Sequence, residues 1–244
     1  RELHSFPSRP SSDLQSYATP SIACVLHEKM GLRTDIPSFD LNAACAGYVY
    51  GLKVAASLLQ NSKERYALVI GSEQISTRLD MEDRNTCVLF GDGAGATVIE
   101  LKEGTELYSV WGSEGLTDVL GCTGQNMGKA HIFMDGQKTF KNAVKRMGSA
   151  AAEVLEQSGY TMDDIDYVVC HQANERIIDA VVKRMDIPEE KVVKVIARYG
   201  NTSAASIPIT LDDMYEQGML EKGNRILLAT FGAGFTWASM IVEI

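Results

Sequence analysis

Cys45, His171 and Asn201 are three residues whose types suit one reaction centre, each placed where an apolar run gives way to small or polar residues. A thiolate is a nucleophile at neutral pH. A histidine beside it holds an ion pair or shuttles a proton. An asparagine amide donates to a developing oxyanion without competing as a base. The neighbours of Cys45 are Ala43, Ala44, Ala46 and Gly47, small enough for a substrate to approach the sulfur closely. Val49, Leu52, Ala55, Ala56 and Leu59 then follow at helical spacing. The sulfur is therefore expected at a helix N-terminus, where the dipole favours negative charge and lowers a thiol pKa. A buried structural cysteine is the competing reading of this position taken alone. Near the C-terminus, Phe231-Gly232-Ala233-Gly234 offers small residues whose backbone N–H groups are free to face a carbonyl oxygen.

The elements that must position these groups follow from periodicity. Residues 1–18 lack it and are rich in Ser and Pro, so they read as irregular. Residues 21–31 read as a helix stopped by Gly31, and Pro37 to Leu41 as a short strand entering the Cys45 turn. Tyr66 to Gly71 reads as a buried strand, so strand, helix and strand in succession imply a βαβ unit and a parallel sheet. Thr86 to Leu101 carries Gly91, Gly93 and Gly95 between two β-rich runs. That spacing is GxGxG and exits into Thr97-Val98-Ile99, whereas a nucleotide fingerprint needs GxGxxG and a helix. A tight hairpin packed on other backbone is expected instead. Residues 103–138 read as an irregular connection with a solvated His131. Beyond it come a helix over 139–158, a strand over 166–170 leading into His171, a helix over 175–185, a strand over 192–196 leading towards Asn201, a helix through Tyr215, and strands over 225–230 and 237–244. Strand C-terminal ends of an open α/β sheet converge on one rim, where ligands bind. The run Tyr66 to Leu101 is echoed by Ile226 to Ile244, each with a strand and an FGxG sequence, which suggests a duplicated α/β unit.

Composition narrows the function classes. The chain has 244 residues, is 45% hydrophobic and 23% charged, and carries a net charge of −9, which argues against nucleic acid as a partner. Five dispersed cysteines without CxxC spacing disfavour a disulfide scaffold and a metal site, and point to a reducing, cytoplasmic setting. No apolar run is long enough for a membrane span, and no signal-peptide pattern is present. Arg176, Ala180 and Lys183 share a helix face with Arg184 beside them, a local basic cluster suited to an acidic partner. A merely solvated basic face is the bland alternative.

Ala44-Cys45-Ala46-Gly47, His171-Gln172-Ala173-Asn174, the run Gly200 to Ser206, and Gly232 to Trp237, taken in order and at compatible spacing, resemble β-ketoacyl-acyl carrier protein synthase III. This is the condensing enzyme that initiates type II fatty-acid synthesis. The resemblance runs from about Thr19 to Ile244. It implies a thiolase-like α/β fold with duplicated halves, helices packed on mixed sheets, the first half over 19–102 and the second over 139–244. By matching motif it implies that Cys45 accepts an acyl group from acyl-CoA, which is a substrate, with no cofactor required. His171 and Asn201 would bind the thioester carbonyl of malonyl-acyl carrier protein during decarboxylation. The backbone N–H groups of Cys45 and Ala233 would hold the second oxyanion; the family's usual residue at 233 is glycine, and alanine keeps the N–H while adding a methyl. Arg84 and Asn174 fall where the family contacts coenzyme A, and Lys141, Arg176, Lys183 and Arg184 where it docks carrier protein. A homodimer is implied in the same way.

The resemblance also implies that the first half is incomplete at its N-terminus, without the family's first strands and helices, an aromatic that stacks on the coenzyme adenine, and part of the acyl tunnel. Two other readings stand beside the main one: a related condensing enzyme of secondary metabolism, and an inactive remnant acting as a binding subunit. A papain-like hydrolase also uses Cys, His and Asn, but its Cys–Gly–Ser–Cys–Trp signature is absent.

Overall fold

A computed structural model describes residues 19–102, 104–123 and 131–244. The irregular stretch read over 1–18 lies outside the described residues. The chain divides into two compact units, residues 1–42 and 43–244.

In the first unit, helix α1 (Ile22–Met30) is capped at its start by Ser21, whose Oγ accepts the Cys24 N–H at 3.2 Å, and at its end by left-handed Gly31. The Asp40 carboxylate accepts the Ile22 and Ala23 N–H groups at 2.7 and 2.8 Å. Residues 37–41 were expected as a strand and are not one. Their ladder has no partner among the described residues, and Asp40 instead neutralises the exposed donors of α1. The expected βαβ unit and its parallel pairing are accordingly absent among the described residues.

The second unit is built on a four-stranded mixed sheet in the order β3 (Ser109–Ser113), β8 (Thr236–Glu243), β7 (Arg225–Gly232), β6 (Tyr167–Cys170). Only β6 and β7 run parallel. Side chains of β7 alternate between two cores, as a strand's period of two requires. Leu227, Ala229 and Phe231 join the cluster around α3 (Gly136–Ser158) and α4 (Glu175–Met185). Ile226 and Leu228 join the cluster around α2 (Gly47–Gln60) and α6 (Ser206–Glu216). With both faces covered, the continuous apolar run Ile226 to Ala229 is explained.

Helix α3 buries Thr139, Ala143, Met147, Ala150, Ala151 and Val154 at helical spacing, is capped by Asp135, and ends at left-handed Gly159. A separate antiparallel pair joins β1 (Tyr66–Glu73) to β2 (Gly93–Glu100). Contrary to the hairpin reading, residues 86–92 are not a strand. Thr86 N–H and Cys87 N–H turn back onto Asp83 O, and Phe90 makes only an isolated parallel bridge to Asn201. The close packing of the glycines does hold, since a Cβ on Gly91 would come to 2.4 Å from Tyr199 O and one on Gly95 to 2.9 Å from Ile209 N.

Two further expectations are corrected. The connection over 103–138 is not irregular throughout. It contains β3 and the short pair β4 (Leu120–Cys122) and β5 (Ile132–Met134), and the ladder partner of β3 among the described residues is β8, far along the chain. His131 is half-buried there, 3.5 Å from Asp80. Residues 192–196 are not a strand either. Val192 forms one bridge to Val168, and the chain turns at once into α5 (Ile196–Tyr199), because the Gln172 carboxamide accepts the Val195 and Ile196 N–H groups that a ladder would use.

Candidate active site

Cys45 stands on a single 3-10 turn, Ala44–Ala46, that runs into α2. Ala44 takes φ 48°, a left-handed bend that a small side chain tolerates best. The turn is pinned from the strand side. Thr230 Oγ1 donates to Cys45 O at 3.0 Å, and Thr236 Oγ1 donates to Ala43 O at 2.8 Å. Gly232 ends β7 against it, so close that a Cβ there would lie 2.8 Å from Cys45 N. Ala233 follows in the β7–β8 turn, outside the left-handed region, so its methyl imposes no backbone strain there.

His171 follows β6 directly, its N–H donating to Ala229 O at 2.8 Å. Asn201 is fixed by its own N–H donating to Leu89 O at 2.8 Å and its carbonyl accepting from Gly91 N at 3.0 Å. Of the three chemical residues only His171 therefore leaves a strand end; Cys45 sits on a 3-10 turn, and Asn201 follows α5 and Gly200.

What unites them is the segment 201–206. Ser203 Oγ lies 3.4 Å from Cys45 Sγ, and Ser203 N–H donates to Asn201 Oδ1 at 2.9 Å. Ser206 Oγ lies 2.7 Å from His171 Nδ1. With Oδ1 engaged, the Asn201 amide makes no other hydrogen bond among the described residues and its Nδ2 is open to a ligand. Ser206 Oγ also accepts the Gln172 N–H at 3.3 Å, and because its own proton has no other acceptor among the described residues it is assigned to His171 Nδ1. The neutral ring then carries hydrogen on Nε2. Burial holds the His171 pKa down at about 4, so the ring stays neutral at physiological pH.

Cys45 departs from expectation. Burial pushes its thiol up to about 11, outweighing the hydrogen bond from Ser203; the nearby Glu73 charge pushes the same way. The sulfur is thus a thiol at rest, because desolvation exceeds what the helix N-terminus returns. Glu73, at the end of β1, is an acid with no ion pair among the described residues. Its carboxylate accepts the Ala204 N–H at 3.4 Å, the Ser203 hydroxyl is also in hydrogen-bonding reach of it, and burial raises its pKa. Sequence reasoning missed Ser203, Ser206 and Glu73. The first two lie inside the run Gly200 to Ser206, and the signal available for Glu73 was a carboxylate closing an apolar strand.

The remaining candidates make none of these hydrogen bonds. Arg84 is exposed on the loop between β1 and β2. Asn174 is the N-cap of α4, its Oδ1 accepting the Arg176 N–H at 2.9 Å. Arg176, Lys183 and Arg184 are exposed on α4, whose opposite face buries Ile177, Ile178, Val181 and Val182; Lys141 is exposed on α3. Arg184 crosses α3 at Gly148, where a Cβ would meet its Cδ at 3.0 Å.

Comparison with known proteins agrees with this architecture. The family described as 3-Oxoacyl-[acyl-carrier-protein (ACP)] synthase III matches residues 39–115, and its C-terminal counterpart matches residues 155–244. The β-ketoacyl-acyl-carrier-protein synthase III of Coxiella burnetii is 40% identical over 233 residues, covering 93% of this chain and 73% of the relative. The synthase of the same name from Caldanaerobacter subterraneus is 43% identical over 240 residues, covering 92% of this chain and 72% of the relative. The crystal structure of 3-oxoacyl-acyl-carrier-protein synthase III from Aquifex aeolicus superposes with a TM-score of 0.88 at 39% identity, covering 93% of this chain and 73% of that one. A priming β-ketosynthase from a polyketide pathway superposes with a TM-score of 0.89 at 33% identity, over 94% of this chain and 72% of that one. The fold is thiolase-like, as the resemblance implied.

Proposed function

We propose, because this chain belongs to the 3-oxoacyl-acyl-carrier-protein synthase III family of condensing acyltransferases, that it joins an acyl-CoA primer, acetyl-CoA in the first instance, to malonyl-acyl carrier protein with loss of CO2. The product is a 3-oxoacyl-acyl carrier protein, and the step initiates fatty-acid synthesis. The observation that carries this reading is the convergence of Cys45, Asn201 and His171 on the one segment 201–206.

In the first half-reaction Cys45 sulfur attacks the primer thioester and keeps the acyl group. In the second, the carbonyl oxygen of the malonyl thioester lies between His171 Nε2–H and Asn201 Nδ2–H. Negative charge grows on that oxygen as CO2 departs, and two preorganised donors in a buried site stabilise it without reorganisation. The carbanion attacks the acyl-Cys45 carbonyl, whose oxyanion is held by the backbone N–H groups of Cys45 and Ala233. Arg84 and Asn174 would contact coenzyme A. Lys141, Arg176, Lys183 and Arg184 would meet the acidic carrier protein, and the working unit would be a homodimer without a resident cofactor.

The test is the intact mass of the purified chain after incubation with acetyl-CoA, with Cys45→Ala as control. An acetyl adduct on the wild-type chain alone is expected; no adduct on a folded sample sinks the reading. His171→Ala and Asn201→Ala should keep the adduct and lose condensation by on the order of 100- to 1,000-fold each. The polyketide-pathway neighbour favours a second reading, a priming synthase of secondary metabolism. Acylation by longer or branched primers in preference to acetyl-CoA would move the assignment there.

A further inference from the structure

The centre described so far lacks one component. Cys45 rests as a thiol, yet the attack needs its sulfur deprotonated. His171 is poorly suited to take that proton: its Nδ1 is bound by Ser206 and its Nε2 carries hydrogen, and the group that touches Cys45 Sγ is the Ser203 hydroxyl, at 3.4 Å. Ser203 is held at φ 52°, in the left-handed region, a strained conformation for a residue with a side chain. Its backbone is fixed there by Asn201 Oδ1. Behind it stands Glu73. The approach of β1 to this turn depends on Gly71, where a Cβ would lie 2.7 Å from Ala204 O. The bare backbone brings Glu73 against Ala204 N–H and the Ser203 hydroxyl, with Ser203 between carboxylate and sulfur.

We propose that Glu73 is a positioning residue for acyl transfer, acting through Ser203 as the acceptor of the Cys45 thiol proton. This inference rests on the function proposed above. The Cys45 S–H bond breaks as its proton passes to Ser203 Oγ, and the Ser203 O–H proton passes to a Glu73 oxygen. Ser203 ends as a hydroxyl, Glu73 as a carboxylic acid and Cys45 as a thiolate, so the total charge stays at one negative. The thiolate attacks the thioester carbonyl, coenzyme A leaves as a thiolate, and the proton returns through Ser203 to that sulfur. The surroundings suit such an acceptor. Opposite Glu73 on β2 is Gly93, and the 203–205 turn presents Ser203 and Ala204. Asp92 beside Gly93 is occupied by Ser76 N and Oγ, and the Glu73 charge couples to Cys45. Among the described residues Glu73 makes no ion pair that would hold its proton off.

The test is the rate of Cys45 alkylation by iodoacetamide between pH 6 and 10, followed on the Cys45 peptide, in the full chain. Glu73→Gln keeps the oxygen that accepts from Ala204. Removing a negative neighbour would by electrostatics alone speed alkylation at pH 7, whereas loss of the proton acceptor slows it, by on the order of 100-fold, and moves the profile to higher pH. Ser203→Ala should slow it equally, the double variant should be no slower than either single one, and Glu73→Asp should restore part of the rate. Alkylation of Glu73→Gln as fast as wild type, or faster, overturns the proposal. If that variant does not fold, Ser203→Ala decides, an unchanged rate overturning the relay. Alkylation needs no acyl-CoA. A wild-type chain that takes no acetyl group while these variants behave as expected would remove the proposed function and leave the relay standing.

Discussion

The strand pairs β1–β2 and β7–β8 are built alike and buried differently. Each is an antiparallel ladder in full register, Tyr66 opposite Glu100 through Glu73 opposite Gly93 in one, and Arg225 opposite Glu243 through Gly232 opposite Thr236 in the other. Strand β7 is covered on both faces, and Leu227 and Leu228 are both fully buried. In β1 the described residues cover only one face: Val69 packs under α2, while Leu68 and Ile70 beside it, and Val98 across on β2, are exposed. Local sequence therefore determines the ladder, and what lies on either side determines how much energy it contributes. The apolar run Tyr66 to Gly71 specifies a strand with two apolar faces, and the described residues cover one of them, so the reading of this strand as buried holds for half of it.

The comparison breaks most readily at equivalent leucines. Leu228→Ala opens a cavity in the core between α2, α6 and the sheet and should cost ~3 kcal/mol or more. Leu68→Ala removes a side chain 41% exposed and should cost less than ~1 kcal/mol. Urea unfolding monitored by circular dichroism separates the two. Equal losses would show that β1 is covered on its outer face in solution.

This contrast explains what was legible in the sequence. Helices α3, α4 and α6 announce themselves by apolar residues at helical spacing, and strands β6, β7 and β8 by short β-rich runs. Strand β3 did not, since Ser109 to Ser113 is a strand only by virtue of β8, more than a hundred residues on. Residues 37–41 and 192–196 looked like strands, but the first has no ladder partner among the described residues and spends its Asp40 carboxylate on the N–H groups of α1, while Gln172 takes the Val195 and Ile196 N–H groups of the second, contacts that periodicity does not encode. At the site, Cys45, His171 and Asn201 were visible as residue types in recognisable runs. The protonation of Cys45 was not, because burial by distant segments raised the thiol to about 11 against the helix effect. Ser203, Ser206 and Glu73 gain their importance only from contacts across the fold.

Titration sharpens the same comparison on its dry side. His171, at the end of β6 and bonded to β7, has a folded pKa of about 4 against an ordinary 6.5. Between those values the unfolded chain binds a proton that the folded chain excludes. Stability is therefore complete above pH 6.5 and is lost as pH falls towards 4, by up to about 3 kcal/mol. Melting temperature against pH should decline through this window in the wild type and decline less in His171→Gln. The same slope in both would mean that His171 is not the group excluding the proton.

The smallest effect belongs to the open face. Val98→Thr exchanges a methyl for a hydroxyl on a side chain 66% exposed, keeps the β-branch that suits a strand, and leaves the Leu68–Val98 register position filled. If that face is in water, the change should leave stability within about 0.5 kcal/mol of wild type. A substitution at the buried register position of the other pair, Ala238→Thr, adds a methyl and a hydroxyl opposite Thr230 and should be costly through overpacking and polar burial. A Val98→Thr loss as large as that of Ala238→Thr would mean that the outer face of β1–β2 is packed after all, against a second copy of the chain or against residues outside the described ones. Sedimentation at several protein concentrations tells those two apart, since only the first depends on concentration.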